Sequence, residues 1–424
     1  MNLLTITTQI LIIFFFMHNP TQSLSSQTLI LPLKAKQIPH PSNKLSFHHN
    51  ISLTVSITVG SPPQAATMVL DTGSELSWLR CRKAPAAAPS FSPSLSSSYR
   101  PTPCSSATCT ARTRDFPIPA SCDASRLCHA AVSYADASSV EGNLAAEDFH
   151  LDRSSSFNGL IFGCMDSGSS SNPEDLKTTG LVGMNRGGLS FITQTGFRKF
   201  SYCISGRDSS GVLLFGDADF PWLSPLNYTP LVQMPTRLPY FDRAAYTVRL
   251  EGVRVGNRVL PVQKTIYEPD HTGGGQTMVD SGTQFTFLLG PVYDALKAEF
   301  LLQTKGILRP LGEPEFVFQG AMDACFRVEL SRKAAPPMPA VTLMLRGVEM
   351  SVSGEKLLYR VAGMTRENDG VYCLTFGNSD LLGVEAYIVG HHHQQNMWME
   401  FDLLKSRVGL AGFSCDLAAQ KLGL

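Results

Sequence analysis

The chain has 424 residues, of which 43% are hydrophobic and 17% charged, with 35 basic and 35 acidic side chains. That is enough apolar chain for a sizeable core and two or three domains. The zero formal charge excludes a basic groove tracking nucleic acid, which needs a surplus of Lys and Arg, and no like-charge run marks a disordered tail.

The apolar stretch Ile10 to Met17 is too short to span a bilayer and suits the h-region of a signal peptide over residues 1–25, with small residues near Thr21, Ser23 and Ser25. No Lys or Arg precedes Lys34, so the usual positive n-region is missing. Residues 26–50 leave room for a short pro-segment or N-terminal extension. No later segment is apolar for long enough to act as a stable membrane anchor. The expected destination is therefore the secretory pathway: extracellular or apoplastic, or retained in the endoplasmic reticulum or vacuole. In that setting the ten cysteines, which form no C-x-x-C pair, read as disulfides rather than a metal cage. Asn50-Ile51-Ser52 and Asn227-Tyr228-Thr229 are candidate glycosylation sites.

Ile51, Leu53, Val55, Ile57 and Val59 alternate with polar residues, which predicts a half-buried strand, and Gly60-Ser61-Pro62-Pro63 turns it. Tyr246, Val248 and Leu250 predict another strand, ending at Gly256-Asn257. Helix signals are few. The best opens on Pro291, places Val292, Leu296 and Phe300 on one face and stops near Gly306.

One pattern occurs twice. Val69-Leu70-Asp71-Thr72-Gly73-Ser74 and its exit to Trp78-Leu79 return as Met278-Val279-Asp280-Ser281-Gly282-Thr283 with an exit to Phe287-Leu288. Leu181-Val182-Gly183 follows the first Asp, ending 112 residues after Asp71, and Ile388-Val389-Gly390 ends 110 after Asp280. Asp166-Ser167-Gly168 carries the tripeptide without these flanks and reads as a turn. Two halves with matched landmarks predict two lobes, residues 51–230 and 240–418, with one Asp from each at the junction.

Two adjacent carboxyls cannot both ionise cheaply, so such a pair shares one proton. One member can then take a proton from water while the other polarises a carbonyl, with no metal or cofactor. Gly73 and Gly282 would admit the backbone close to the carboxyls. Thr72 and Ser281 could lock the loops together, and Ser74 and Thr283 could orient the outer oxygens.

On these residues the chain resembles the pepsin-type aspartic peptidases, from about Leu53 to Cys415. Gly60-Ser61-Pro62-Pro63-Gln64 is similar to the family's opening turn, and Trp78 to its tryptophan after the first Asp. Tyr134-Ala135-Asp136 resembles the flap, and Phe401-Asp402 with Val408-Gly409-Leu410-Ala411 the closing strands. Phe162-Gly163-Cys164, Ser201-Tyr202-Cys203 and His391-His392-His393-Gln394-Gln395-Asn396 are similar to the plant nucellin-like, atypical branch. The resemblance implies an all-β, bilobal, pepsin-like double barrel or sandwich with short helices and a cleft between the lobes. It also implies a monomeric endopeptidase acting on polypeptides at acidic pH. Tyr134, Asp136 and Trp78 would contact substrate, with Tyr134 hydrogen-bonded towards Trp78. Ala135, where Gly is usual, would stiffen the flap.

Seven cysteines precede Pro230 and three follow it, so complete pairing needs an odd number of cross-lobe bridges. By resemblance Cys325 pairs with Cys373, leaving Cys415 to reach back, with Cys164 the expected partner. The histidine triplet is expected to be a polar patch behind Gly390 and not a metal site, because successive residues of an extended chain face opposite ways. A rival from another class is a pepsin-like protein that binds and inhibits glycoside hydrolases and has lost catalysis; both Asp motifs are intact here. No Gly-x-Ser-x-Gly marks a serine hydrolase.

Overall fold

A computed structural model describes residues 28–37, 51–81, 89–135, 137–169, 178–206, 210–331 and 336–424. The signal segment at 1–25, the sequon Asn50 and Asp136 of the flap lie outside the described residues. The architecture is all-β and bilobal, with short helices. Ile51–Val59 is a strand whose Leu53, Val55, Ile57 and Val59 are buried. It folds back antiparallel onto Gln64–Asp71 through Gly60, at φ +90, a backbone conformation that glycine adopts without strain. The predicted helix runs Gly290–Gln303, has Pro in its first turn and buries Val292, Leu296 and Phe300. Within the stretch expected as a pro-segment or extension, Leu29–Gln37 is a strand. It pairs with Ser210–Phe215 on one side and Ile51–Val59 on the other, and Leu29, Leu31 and Leu33 are buried in the core.

The sequence repeat is also a topological repeat. In the first lobe Gln64–Asp71 lies parallel to Gly180–Gly183, which is antiparallel to Trp78–Arg80, itself parallel to Ser156–Ser169. In the second, Gln276–Val279 lies parallel to Ala386–Val389, which is antiparallel to Thr286–Leu288, itself parallel to Phe376–Asn378. Each lobe thus presents the same four-strand motif, with its Asp at the end of the first strand.

A shared sheet joins the lobes. Lys199–Cys203 of the first lobe pairs with Met397–Asp402 of the second, which pairs with Arg407–Gly412, and that strand takes Asn227–Pro230 at the edge. Phe200, Tyr202, Met399, Phe401, Val408 and Leu410 fill its inner face.

All ten cysteines are paired: Cys81–Cys164, Cys104–Cys122, Cys109–Cys128, Cys203–Cys415 and Cys325–Cys373. The parity argument and Cys325–Cys373 hold, but Cys415 does not reach Cys164. Leu79 stands opposite Cys164 in the parallel pairing of their strands, which delivers Cys81 to Cys164 at a Cα separation of 5.3 Å. The single cross-lobe bridge is Cys203–Cys415, spanning 212 residues. Cys415 opens the helix Cys415–Lys421, which packs with Cys203, Val212 and Leu214 of the first lobe. A second correction concerns Asp166-Ser167-Gly168, which is not a turn. It lies in the strand Ser156–Ser169, with Gly168 opposite Val140; a Cβ on Gly168 would stand 2.6 Å from the Ser139 carbonyl, so glycine admits close strand approach there.

A Cys203→Ser, Cys415→Ser double variant should unfold at lower urea concentration, by about 2–5 kcal/mol of stability, while keeping the other four bridges. Non-reducing peptide mapping of the parent chain should recover Cys203 and Cys415 in one linked peptide; any other partner for Cys415 contradicts this connectivity.

Candidate active site

Asp71 ends the strand Gln64–Asp71 and Asp280 directly follows the strand Gln276–Val279, and each turns into a loop that meets the other lobe. The two loops clasp reciprocally. Thr72 N–H donates to Ser281 Oγ at 3.0 Å and Ser281 N–H to Thr72 Oγ1 at 2.9 Å. The hydroxyls donate onward, Thr72 Oγ1 to the Val279 carbonyl at 3.3 Å and Ser281 Oγ to the Leu70 carbonyl at 3.0 Å. The carboxyls are set alike. Gly73 N–H donates to Asp71 Oδ1 at 2.8 Å and the Ser74 hydroxyl to Oδ2. Gly282 N–H donates to Asp280 Oδ1 at 2.8 Å and the Thr283 hydroxyl to Oδ2 at 2.6 Å. Each glycine leaves room for the opposite carboxyl: a Cβ on Gly73 would sit 2.9 Å from Asp280 Oδ1, and one on Gly282 2.3 Å from Asp71 Oδ1.

Burial, and then the charge of Asp280, push the Asp71 carboxyl well above the usual carboxylate range, against the bonds from Ser74 and Gly73. Gly183 and Gly390 stand beside the two loops; a Cβ would meet the Glu75 carbonyl at 2.5 Å in one and the Phe285 carbonyl at 2.1 Å in the other. That close approach explains the apolar–apolar–glycine landmark in both halves.

The dyad lies in a cleft of about 1100 Å³ walled by apolar side chains of both lobes, among them Leu76, Trp78, Phe116, Met278 and Ile388. Over it stands the hairpin of Cys128–Ser133 and Ser139–His150. Its tip closes with Tyr134 N–H to the Ser138 carbonyl at 2.9 Å, and Ala137 takes φ +64, a left-handed value uncommon outside glycine. Trp78 Nε1–H donates to Tyr134 Oη at 2.6 Å, so the pair expected from the sequence is in place and Trp78 is the donor. Thr72, Gly73, Ser74, Ser281, Gly282, Thr283, Trp78 and Tyr134 all line the cleft with the two aspartates.

Glu75 also lines the cleft and was not singled out by its sequence. Its Oε1 accepts Leu189 N–H at 2.8 Å, and burial raises its pKa. The histidine triplet is a turn rather than an extended patch, and His391 and His393 are buried. Among the described residues no group of three or more His, Cys, Asp or Glu could hold a metal.

His393 sits between two hydroxyls, with Nε2 2.8 Å from Thr375 Oγ1 and Nδ1 2.7 Å from Thr286 Oγ1. Thr375 spends its only hydrogen on the Lys356 carbonyl at 2.8 Å, so Nε2 must carry the proton. Nδ1 then accepts from Thr286, which itself accepts Gly390 N–H at 3.2 Å. The ring is therefore neutral, in one tautomer. Burial, with neighbouring His392, Lys356 and His391, holds its pKa far below the histidine range, and removal from water pulls His392 down to about 4.

Comparison with known proteins decides the family. Residues 53–217 match the family described as Xylanase inhibitor N-terminal and residues 245–412 the one described as Xylanase inhibitor C-terminal. The chain is 61% identical to aspartic proteinase PCS1 of Arabidopsis thaliana over 93% of its length and 90% of the relative. The protein belongs to the plant branch of the pepsin-type aspartic peptidases. It is 28% identical to aspartic proteinase nepenthesin-2 of Nepenthes gracilis, covering 85% of this chain and 77% of that one. The crystal structure of edgp shares the fold, with a TM-score of 0.66 at 19% identity over 92% of this chain and 96% of that one. The protein is accordingly an aspartic-type peptidase. The inhibitor reading attaches to the two domain descriptions and is not favoured beside full-length relatives named proteinases.

Gly282→Ala should lower peptidase activity at least ~100-fold through displacement of Asp71, whereas Gly412→Ala, whose Cβ meets nothing within 4 Å, should not; kcat/KM of the two variants is the measurement. The histidines set an acid limit on stability. Their folded pKa values lie below the unfolded one, so the unfolded chain binds protons first, and stability falls as pH drops from about 6.5 through the folded values. Asp71, whose raised pKa acts with the opposite sign over the same range, is common to parent and variant, so the measurement is the difference: the urea midpoint of His393→Gln relative to the parent should rise from pH 7 to pH 4.

Proposed function

We propose that the protein is an endopeptidase in which Asp71 and Asp280 together activate a water molecule, working at acidic pH on extended polypeptides. The observation that carries this reading is the reciprocal fit of the two loops, each glycine opening onto the opposite carboxyl and each carboxyl held by one N–H and one hydroxyl. A dyad sharing one proton supplies acid and base at once. The water oxygen bonds to the peptide carbon while its proton passes to the ionised carboxylate, and the protonated partner gives its proton to the carbonyl oxygen. The resulting diol collapses as the carboxyl that took the water proton gives it to the nitrogen, one diol hydroxyl returns its proton to the ionised partner, and the C–N bond breaks. The open cleft suits an extended backbone beneath the Tyr134 hairpin, with main-chain hydrogen bonds for affinity and apolar walls for side-chain choice.

The raised Asp71 pKa supports an acidic range, since the shared proton is lost as pH rises through that value. Five disulfides and an exposed Asn227 in its sequon support a secretory, glycosylated product. No helix of the described residues is long and apolar enough to cross a membrane, and the neutral charge supports a partner list of polypeptides without nucleic acid. We take the working form to be a monomer without a cofactor.

The test is cleavage of a denatured protein between roughly pH 3 and pH 7, with pepstatin, Asp71→Asn and Asp280→Asn as controls. We expect pepstatin-sensitive cleavage that fades towards neutral pH and is abolished in both variants. Equal activity of either variant and the parent chain overturns the two-Asp mechanism.

A further inference from the structure

The Thr72–Ser281 clasp joins the catalytic loops through their second residues. Each loop is held again, independently, through the backbone carbonyl of the aspartate itself. On the first-lobe side, Met184 N–H donates to the Asp71 carbonyl at 2.8 Å, and the Met184 carbonyl accepts the Tyr246 hydroxyl at 2.7 Å. On the second-lobe side, Gln394 Nε2 donates to the Asp280 carbonyl at 3.3 Å and the Val389 carbonyl at 2.8 Å, and Gln394 Oε1 accepts the Tyr202 hydroxyl. The chemistry fixes these directions. Asp280 and Val389 present only carbonyl oxygens, so the amide nitrogen of Gln394 faces them and its oxygen faces the phenol.

The two phenols cross between lobes in opposite senses. Tyr246 comes from the second lobe and braces Asp71 of the first, while Tyr202 comes from the first lobe and braces Asp280 of the second. Both are fully buried, and they rest on one aromatic base. Phe200 and Phe401 stack with centroids 4.6 Å apart, with Tyr246 edge-on to Phe401 at 4.6 Å and Tyr202 tilted against it at 5.4 Å. A single buried tyrosine bonded to a carbonyl is ordinary core chemistry. Here two of them stand in matching relation to the two aspartates, although the intermediary is the backbone N–H and carbonyl of one residue, Met184, in one half and a glutamine side chain in the other. Different groups serving one geometry point to a requirement on the aspartate carbonyls and not to local packing alone.

We propose that Tyr202 and Tyr246 are positioning residues of the dyad: by bracing each aspartate from the opposite lobe, they set how far apart the two carboxyls stand. This rests on the two-Asp reading above. Loss of either hydroxyl leaves its buried acceptor, Met184 O or Gln394 Oε1, without that donor, and the loop relaxes towards new partners. The cleft walls are untouched, so binding of substrate is preserved while proton sharing between the carboxyls changes.

The experiment uses the full chain carrying Tyr202→Phe, Tyr246→Phe or Gln394→Met, with Tyr228→Phe as the comparison. Tyr228 donates to Glu400 at 2.8 Å in the same inter-lobe sheet, away from either Asp loop. Each variant is measured for kcat and KM on one peptide across the acidic range, and for its urea midpoint. We expect kcat to fall about tenfold in each tyrosine variant, in keeping with one buried hydrogen bond, and at least as far in Gln394→Met, which loses three, with KM within about twofold and the pH limits of kcat displaced. Tyr228→Phe should lose stability yet keep the parent kcat and pH profile. Parent-like kcat and pH profiles in Tyr202→Phe and Tyr246→Phe, or changes no larger than those of Tyr228→Phe at the same urea midpoint, overturn the proposal. If one tyrosine variant fails to fold, the other and Gln394→Met decide. A parent chain that neither cleaves nor binds pepstatin removes the two-Asp reading and this proposal with it; an active parent with unaffected variants removes this proposal alone.

Discussion

The structure depends on the mutual hydrogen bonding of Thr72 and Ser281. Two carboxyls brought together out of water repel when ionised and lose hydration in either state, so the junction needs a clasp stiff enough to hold them. Here two backbone N–H groups and two hydroxyls satisfy one another, and the hydroxyls pass their hydrogens to the Val279 and Leu70 carbonyls. No donor in that ring is left without an acceptor, the condition under which a buried polar network rigidifies a site instead of weakening it. Each hydroxyl belongs to one lobe and accepts from the other, so neither half can form the ring alone. The active site is a property of the junction.

The rest of the inter-lobe contact protects that ring. The shared sheet runs Lys199–Cys203 against Met397–Asp402, and Cys203–Cys415 ties the C-terminal helix to its edge. Arg186, just beyond the Gly183 landmark, grips the entry to the second lobe: its backbone N–H donates to Ala244 O, and its guanidinium donates to Ala245 O at 3.1 Å and Arg243 O at 2.8 Å. Closing so long a covalent loop restricts the unfolded chain more than the folded one, and buried sheet hydrogen bonds resist shear. The lobes are thus fixed beneath the dyad.

What was legible in the sequence followed from repetition. The two Asp loops and the Gly183 and Gly390 landmarks each leave a local signature of residue type and spacing, because each needs a particular small or apolar side chain at a fixed distance along the chain; the Trp78–Tyr134 pair, 56 residues apart, came only from the resemblance to the family. The partner of Cys415 left none. Its choice between Cys164 and Cys203 turns on which strand the terminal helix packs against, a contact 212 residues away. The histidine triplet misled for a related reason: alternation applies to extended chain, and after Gly390 the chain turns, sending His391 and His393 inward. Tyr202 sat inside a quoted motif, yet its role lies in Gln394, which is 192 residues distant. Local pattern reveals what an element needs from itself; contacts between elements have to be seen.

Burial acts with opposite sign on the two kinds of titrating group that flank the second loop, and the pair of signs defines a working range. Asp71 is raised, so its contribution to stability is present below the unfolded carboxylate value and is lost as pH rises through the folded one. His392 and His393 are lowered, so theirs is present above the unfolded histidine value and is lost as pH falls through the folded ones. At high pH the dyad sheds the proton that the proposed mechanism needs. At low pH a charged His393 would place a hydrogen on Nδ1, where Thr286 Oγ1 already points its own while accepting from Gly390 N–H. Gly390 is the residue packed against the second Asp loop, so acid would loosen that loop at its support. The same low-dielectric interior that lets two carboxyls share a proton therefore also limits how acidic a medium the scaffold around them can bear.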